Sequence, residues 1–179
     1  MSMSVSDKIV QIDEKKENPL RVTSREITKK EFGTKELKEI ISAMMKALSR
    51  EDDGVALAAP QIGLPLQIFV VSPKSYDVNA KWKPLVFINP KITKASKKMI
   101  DVQEGCLSVR WIYGTTTRHA SVTIEAHDEN GNKFTYGGSG LFAQIFQHEV
   151  DHLNGILFID KAKDVQNIPP EHQNTQSKS

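Results

Sequence analysis

The sequence predicts an α+β fold built as a single domain. Apolar residues repeat at helical spacing in two segments, and short runs rich in β-branched and aromatic residues read as strands. Two of these runs flank a tight turn, which favours antiparallel pairing. With 179 residues, 39% hydrophobic and 26% charged, the chain is long enough for one well-buried core. We place the domain at residues 1–165 and expect residues 166–179 to form a polar, disordered tail.

The composition argues against several functional classes. A formal net charge of +2, without a basic run that contains aromatic residues, argues against nucleic-acid binding. The sequence has no apolar stretch long enough to span a bilayer, and its N-terminus lacks the apolar core of a signal peptide. The single cysteine, Cys106, excludes an intramolecular disulfide and fits a reducing compartment. We therefore expect a cytoplasmic protein.

The first helix is predicted to begin after Thr34, a good N-cap residue, and to end before the turn at residues 52–54. Its apolar positions recur at helical spacing: Leu37, Ile40, Ile41, Met44, Met45 and Leu48. We expect this N-terminal amphipathic helix to pack on a sheet. The first dozen residues are polar, and we expect them to be loosely held.

The strands are predicted from short runs and turn residues. Residues 67–72 and 84–89 read as strands, and Ile92 and Ile100 indicate further strand around a lysine-rich turn. Residues 122–126 and 133–136 read as a hairpin closed by the turn at 128–131. Residues 54–63 are nearly all small or apolar, with Gln61 as the one amide side chain. That segment reads either as a buried loop or as backbone that closely approaches a ligand.

The second predicted helix carries two histidines and a glutamate. His148 and His152 are four residues apart, so a helix places both imidazoles on one face, where they can hold one metal ion. Glu149 lies about 100° further round the helix, where its carboxylate can take a proton from metal-bound water. Ser139 is the expected N-cap, and Gly155 stands where a helix ends with a left-handed residue. The spacing alone leaves a second interpretation open, in which two partly buried histidines have no ligand.

Three short segments together indicate a protein family: residues 54–61, 104–108 and 147–152. They resemble the peptide deformylase family, whose motifs are Gly-x-Gly-x-Ala-Ala-x-Gln, Glu-Gly-Cys-x-Ser and Gln-His-Glu-x-Asp-His. The second and third motifs are complete, and the first has Ala56 in place of its second glycine. The resemblance extends from about Thr34 to Asp160. It implies antiparallel β-sheets packed around a central metal-binding α-helix, with the amphipathic helix on the N-terminal side.

The resemblance also supplies a third ligand and the catalytic groups. It implies that a metal ion is bound by Cys106, His148 and His152, with a fourth position left for water. Glu149 would act as the general base and later protonate the leaving amine. The Leu107 backbone N–H and the Gln61 side-chain amide would stabilise the developing oxyanion.

The same resemblance implies how a formylated peptide is held. Backbone groups of Gly54, Val55 and Ala56 would pair with an extended peptide, which accepts any following sequence. An apolar pocket for the methionine side chain is assigned to Val55, Leu141 and Ile145.

The chain departs from the family pattern at several positions. Ala56 adds a methyl group that would strain a backbone requiring positive φ or crowd the substrate. Arg110 stands where the family usually has proline, and Trp111 follows it, so we expect an altered rim near the second and third substrate residues. Glu104 and Arg118 are predicted either to support the cysteine strand as an ion pair or to form an exposed, weak pair.

The resemblance implies hydrolysis of the N-formyl group from N-formylmethionyl nascent peptides, with release of formate. Ferrous iron is the expected native metal, and zinc, nickel or cobalt also suit the ligand set. We expect a monomer that meets the ribosome only transiently, because the tail lacks the long basic C-terminal helix that many bacterial members use for docking. Two alternatives remain open: a catalytically weak, deformylase-like peptide-binding protein and a metallopeptidase that cuts internal peptide bonds.

Overall fold

A computed structural model describes residues 5–13, 18–76 and 86–170. Within these ranges the chain forms two α-helices and eight strands. The elements are, in order, α1 Lys35–Ser49, β1 Ala56–Ala58, β2 Ile68–Val71, β3 Val86–Ala95, β4 Met99–Cys106, β5 Val109–His119, β6 Ser121–His127, β7 Lys133–Ser139, α2 Leu141–Leu153 and β8 Lys163–Asn167. Neither helix combines the length and apolarity that crossing a bilayer demands.

The strands form two antiparallel sheets, in agreement with the predicted α+β class. The first sheet has the order β1-β2-β3-β6-β7, and the second has the order β4-β5-β8. Helix α2 contacts β1, β3, β6 and β7 of the first sheet and β5 of the second. It therefore touches both sheets, and its side chains reach the space where the two sheets approach each other.

Helix α1 forms as its sequence predicts. The Thr34 side chain accepts a hydrogen bond from the Leu37 N–H at 3.2 Å and caps the first turn. The apolar stripe, including Ile40, Met44 and Leu48, is buried against strands β1 and β2. Burial of this stripe, rather than helix propensity alone, holds the helix in place.

The predicted strands are present, but three others were missed. Within the predicted strand 67–72, residues 68–71 form β2. Residues 86–89 begin β3, and the hairpin forms with Ala126 opposite Phe134; residues 84 and 85 lie outside the described ranges. Strand β1 was read as a loop because all three of its residues are buried and show no alternation. Strand β5 has register shifts in its pairing with β4 and in its pairing with β8, which interrupt the alternation of its apolar residues. Strand β8 is exposed along its whole length and therefore has no apolar face.

Two predictions at the ends of α2 had different outcomes. Ser139 is not the N-cap, because it ends β7 and the helix begins after Gly140. Gly140 has φ +57°, which lets the chain turn from the strand into the helix within one residue. Gly155 adopts the expected left-handed conformation, with φ +73°. A Cβ at Gly155 would lie 2.9 Å from the Arg21 carbonyl carbon, so the close approach of the two backbones also requires glycine.

Within the described ranges, parts of two segments predicted to be loosely held form backbone hydrogen bonds. The Val10 N–H donates to the Gln61 carbonyl at 2.7 Å, and the Ile12 N–H donates to the Ser108 carbonyl at 3.0 Å. The prediction for the first dozen residues is therefore wrong at residues 10–12. The predicted tail is also wrong at residues 166 and 167, which belong to β8, while residues 171–179 lie outside the described ranges.

Replacing Phe146 by alanine should strongly destabilise the fold. The side chain is fully buried, and its ring contacts four other rings, those of Phe69, Phe87, Tyr136 and Phe142. We expect Phe146→Ala to lower the free energy of unfolding by about 3–5 kcal/mol, measured by urea denaturation. The control is Val165→Ala on the exposed strand β8, with an expected change within about 0.5 kcal/mol. Equal losses in both variants would contradict this account of the core.

Candidate metal centre

Three potential metal ligands converge where β4 ends beside helix α2. The donor atoms of Cys106, His148 and His152 all lie within 4.8 Å of one another, and the Cys106 Sγ is 3.2 Å from the His152 Nε2. The helical spacing brings the two histidines together, and pairing of β4 with β5 places the cysteine against them. One thiolate and two imidazoles leave a fourth coordination position open, so the donor set fits a catalytic divalent metal ion.

A buried carboxylate orients the first histidine. Glu104 Oε2 lies 3.0 Å from His148 Nδ1, which leaves the Nε2 of that ring available to a metal ion. The same carboxylate accepts hydrogen bonds from Arg118 at 2.7 and 3.0 Å and from the Thr116 hydroxyl at 2.8 Å. Burial alone would raise the pKa of Glu104, but the hydrogen bonds from His148 and Arg118 lower it to about 2. The carboxylate is therefore charged at neutral pH.

The sequence left two alternatives for Glu104 and Arg118: an ion pair that supports the cysteine strand, or an exposed, weak pair. The structure shows a buried ion pair. Both side chains are almost completely inaccessible, at 2% and 5% exposure. Arg118 also donates to Asp151 on α2 at 2.6 Å, and Asp151 pairs with Lys161 at 3.1 Å. These bonds join β4, β5 and α2, the three elements that carry the candidate ligands and their support.

Glu149 is buried beside the ligands. Burial raises its pKa to about 7, and its Oε2 has no hydrogen-bond partner within the described part of the chain. A carboxyl group with a pKa near neutrality can both accept and return a proton.

The pKa values of the two histidines shift in opposite directions. Burial lowers the pKa of His152 well below its usual value, whereas at His148 the same desolvation is outweighed by hydrogen bonds with Cys106 and Glu104, which raise the pKa.

Gln61 and Leu107 lie beside the cysteine. The Gln61 Oε1 accepts from the Ala58 N–H at 2.9 Å, which turns its NH2 group toward the Ser108 hydroxyl at 3.2 Å and the Cys106 sulfur at 3.6 Å. The Leu107 carbonyl accepts from the Gln11 side chain at 2.9 Å. Sequence reasoning missed Gln11, because nothing in its local pattern indicates a partner 96 positions along the chain. Ser108 belongs to the second motif, but no role for it was predicted.

A cavity of about 320 Å³ opens next to this cluster. Its lining includes most of the residues that the sequence singled out: Gly54, Val55, Ala56, Gln61, Cys106, Leu107, Leu141, Ile145, His148 and Glu149. His152 is buried and does not contribute to the lining. The apolar residues assigned to a methionine pocket, Val55, Leu141 and Ile145, all line this cavity. Val55 and Leu141 are exposed, and Ile145 is buried.

The expected backbone strain at Ala56 does not arise. Among the described residues, the non-glycine positions with positive φ are Asn89, Trp111 and Asp164. Ala56 lies in strand β1 opposite Val71, with its side chain buried. The methyl group is thus compatible with the backbone, and the predicted crowding of a substrate stays a prediction.

Replacing Glu104 by glutamine should weaken metal binding. The neutral amide removes the charged partner of His148 and Arg118, so the ring loses the group that orients it. We expect about a 10-fold to 100-fold loss of zinc affinity, measured by competition with a chromogenic chelator. Asp101→Asn on the same strand is the control, since Asp101 is exposed and bonds Thr117. Unchanged affinity in a folded Glu104→Gln variant would refute the orienting role.

Comparisons with known proteins agree with this arrangement. Residues 6–167 match the family model described as polypeptide deformylase. The chain is 50% identical over 107 residues to a peptide deformylase of Borreliella burgdorferi, covering 60% of this chain and 62% of the relative. It is 43% identical over 128 residues to peptide deformylase 1B of Arabidopsis thaliana, covering 72% of this chain and 46% of the relative. It is 38% identical over 146 residues to peptide deformylase 2 of Clostridium acetobutylicum, covering 79% and 92%. The match thus spans less than two thirds of the length of the first two relatives.

Solved structures give the same result. An Arabidopsis thaliana peptide deformylase 1B in complex with an inhibitor has a TM-score of 0.76 and 38% identity, covering 88% of this chain and 82% of that chain. An actinonin-bound class I type b peptide deformylase from Acinetobacter baumannii has a TM-score of 0.77 and 30% identity, covering 89% and 100%. The family is metal-dependent, and this chain has a group of residues able to hold a metal ion. On its sequence match and its fold, the chain belongs to the polypeptide deformylase family.

Proposed function

We propose that this protein hydrolyses the N-formyl group of N-formylmethionyl nascent peptides and releases formate. The observation that carries the proposal is the convergence of Glu149 and the Gln61 amide on Cys106 and His148 at one cavity. Membership of the deformylase family supports the same reaction. We further propose that the protein acts as a monomer in the cytoplasm and meets the ribosome only transiently.

The metal ion would be held by Cys106, His148 and His152. When bound, a divalent metal supplies the Lewis acidity that polarises the formyl carbonyl and lowers the pKa of a water molecule. We propose ferrous iron as the native metal, with zinc, nickel and cobalt as substitutes, because thiolate and imidazole ligands suit all four.

Glu149 moves the proton in the proposed reaction. Its carboxylate takes a proton from the attacking water, whose oxygen forms a bond to the formyl carbon. The carbon–nitrogen bond then breaks, and Glu149 delivers the proton to the departing nitrogen, so the products are formate and a free amine. Burial of Glu149 supports this role, because the resulting pKa of about 7 suits a group that must accept and then return a proton.

Gln61 and Leu107 would stabilise negative charge on the former carbonyl oxygen. The Ala58 N–H holds the Gln61 oxygen, so the NH2 group is oriented before the substrate arrives. A donor whose position is fixed in advance stabilises a transition state without the cost of reorganisation. The backbone N–H of Leu107 is the second proposed donor.

Strand β1 would bind the peptide backbone. It is an edge strand of the five-stranded sheet, and it lines the cavity together with Gly54 and Val55. Main-chain pairing with an edge strand accepts any side chain in the following residues. The methionine side chain would occupy the apolar pocket of Val55, Leu141 and Ile145.

Formate release should depend on Glu149. We expect protein loaded anaerobically with ferrous iron or nickel to release formate from formyl-Met-Ala-Ser, and Glu149→Ala to reduce kcat about 10²-fold to 10⁴-fold while the metal stays bound. Glu125→Ala, which removes a surface ion pair with Lys133, is the matched control and should retain activity. If metal binds but wild-type protein releases no formate with either metal, the proposed reaction is wrong and a peptide-binding role is favoured.

Replacing Gln61 by leucine should remove one oxyanion donor at similar side-chain volume. We expect kcat to fall about 10²-fold to 10³-fold with KM nearly unchanged, because the lost bond is made in the transition state. Steady-state kinetics on the same tripeptide measure both constants. A rise in KM at constant kcat would instead assign Gln61 to substrate binding.

A further inference from the structure

A charged cluster of Arg110, Glu51 and Asp53 lies at the cavity, and Arg110 and Asp53 belong to the lining. Arg110, on β5, places one guanidinium nitrogen against the Glu51 carboxylate and the other 3.3 and 3.4 Å from the two Asp53 oxygens. Glu51 and Asp53 lie in the loop between α1 and β1, directly before Gly54. The cluster therefore joins the cavity wall of the five-stranded sheet to the wall of the three-stranded sheet.

Trp111 also contacts the Arg110 side chain. The Arg110 guanidinium carbon lies 5.5 Å from the centre of the Trp111 ring, within the range of a cation–π contact. Trp111 itself has φ +67°, a conformation that costs a non-glycine residue energy and persists where its surroundings hold it. Both residues line the cavity, and the Arg110 side chain is only 25% exposed, so its ion pairs are less screened than those on an open surface.

The loop held by Arg110 is closely packed on its other sides. A Cβ at Gly54 would lie 2.9 Å from a Leu48 methyl group and 3.3 Å from a Leu107 methyl group. Lys74 bonds the Glu51 and Asp52 carbonyl oxygens from outside the cavity, at 3.2 and 3.3 Å. Arg110 supplies the charged contact from β5, on the other side of the cavity.

We propose that Arg110 is a clasp, a positioning residue that fixes residues 54–56 against β5 and thereby sets the affinity for the peptide that follows formylmethionine. This inference rests on the proposed function, because it takes the β1 edge as the peptide-binding strand. By the resemblance described above, the family usually has proline at this position. Proline carries no charge and cannot form these ion pairs, so the clasp is a property of this chain.

The clasp makes a distinct kinetic prediction. The polar contacts of Arg110 described above go to Glu51 and Asp53, just before the proposed peptide-binding residues 54–56. Loss of Arg110 should therefore affect peptide binding and leave the chemical step nearly intact. We expect Arg110→Gln to raise the KM for formyl-Met-Ala-Ser about fivefold to tenfold, with kcat within about twofold of wild type. The double variant Arg110→Glu with Glu51→Arg restores opposite charges in swapped positions, and its KM should fall at least about threefold below that of Arg110→Glu alone.

A matched control distinguishes the specific effect of Arg110 on KM from the effect of removing any surface arginine. Arg25 forms a comparable paired contact with Glu31, at 2.8 and 3.0 Å, but does not line the cavity. Arg25→Gln should leave KM within about twofold of wild type. Thermal unfolding of all variants shows that each is folded under the conditions of the assay.

Binding of the product peptide Met-Ala-Ser gives a readout that does not require turnover. Calorimetry on metal-loaded wild type and Arg110→Gln should show a loss of peptide affinity of about fivefold to tenfold in the variant. If wild type binds this peptide more tightly than Arg110→Gln yet releases no formate, the clasp stands and the proposed reaction fails. If wild type releases formate but Arg110→Gln changes KM and affinity no more than Arg25→Gln does, the clasp is wrong. A fall in kcat at constant KM also overturns it.

Discussion

The buried charge of Glu104 is the interaction on which the rest of the site depends. A carboxylate removed from water is unfavourable unless it is surrounded by donors, and here Arg118, His148 and Thr116 supply them. These partners come from β5 and α2, so satisfying one charge requires both elements to take their places beside β4. The position of the histidine ring and the packing of the helix are thus consequences of the same electrostatic requirement.

The same requirement accounts for the two different contacts that α2 makes, one with each sheet. The face of α2 toward the first sheet is apolar and packs through the aromatic rings around Phe146. The contact with β5 includes charged bonds, because Asp151 accepts from Arg118. Apolar packing tolerates small shifts, whereas an arginine between two carboxylates has few acceptable positions. The helix is therefore stabilised by one sheet and oriented by the other.

The local sequence pattern was sufficient to predict those features that depend on residues close together in the chain. The capped helix α1, the β6–β7 hairpin and the paired histidines all follow from spacings of a few residues. The cysteine ligand followed only from resemblance, because its approach to α2 depends on pairing between strands. The burial of Glu104 could not be decided, since β5 went unrecognised where register shifts interrupt its alternation. Arg110 was visible as an anomaly, but its partners lie 57 and 59 positions away, beyond any local pattern.

The separation of the three donors along the chain has a consequence for biosynthesis. Cys106 precedes His148 and His152 by more than forty positions, and both histidines lie on α2, the second of the two α-helices that the structure describes. During synthesis none of the three candidate ligands exists before Cys106, and Cys106 stands alone until His148 is added. The complete set of deprotonated ligands that a metal ion would need is therefore present only once α2 has been made. Metal binding by all three residues would therefore follow the synthesis of α2, at a point when strands β1 to β7 have already been made.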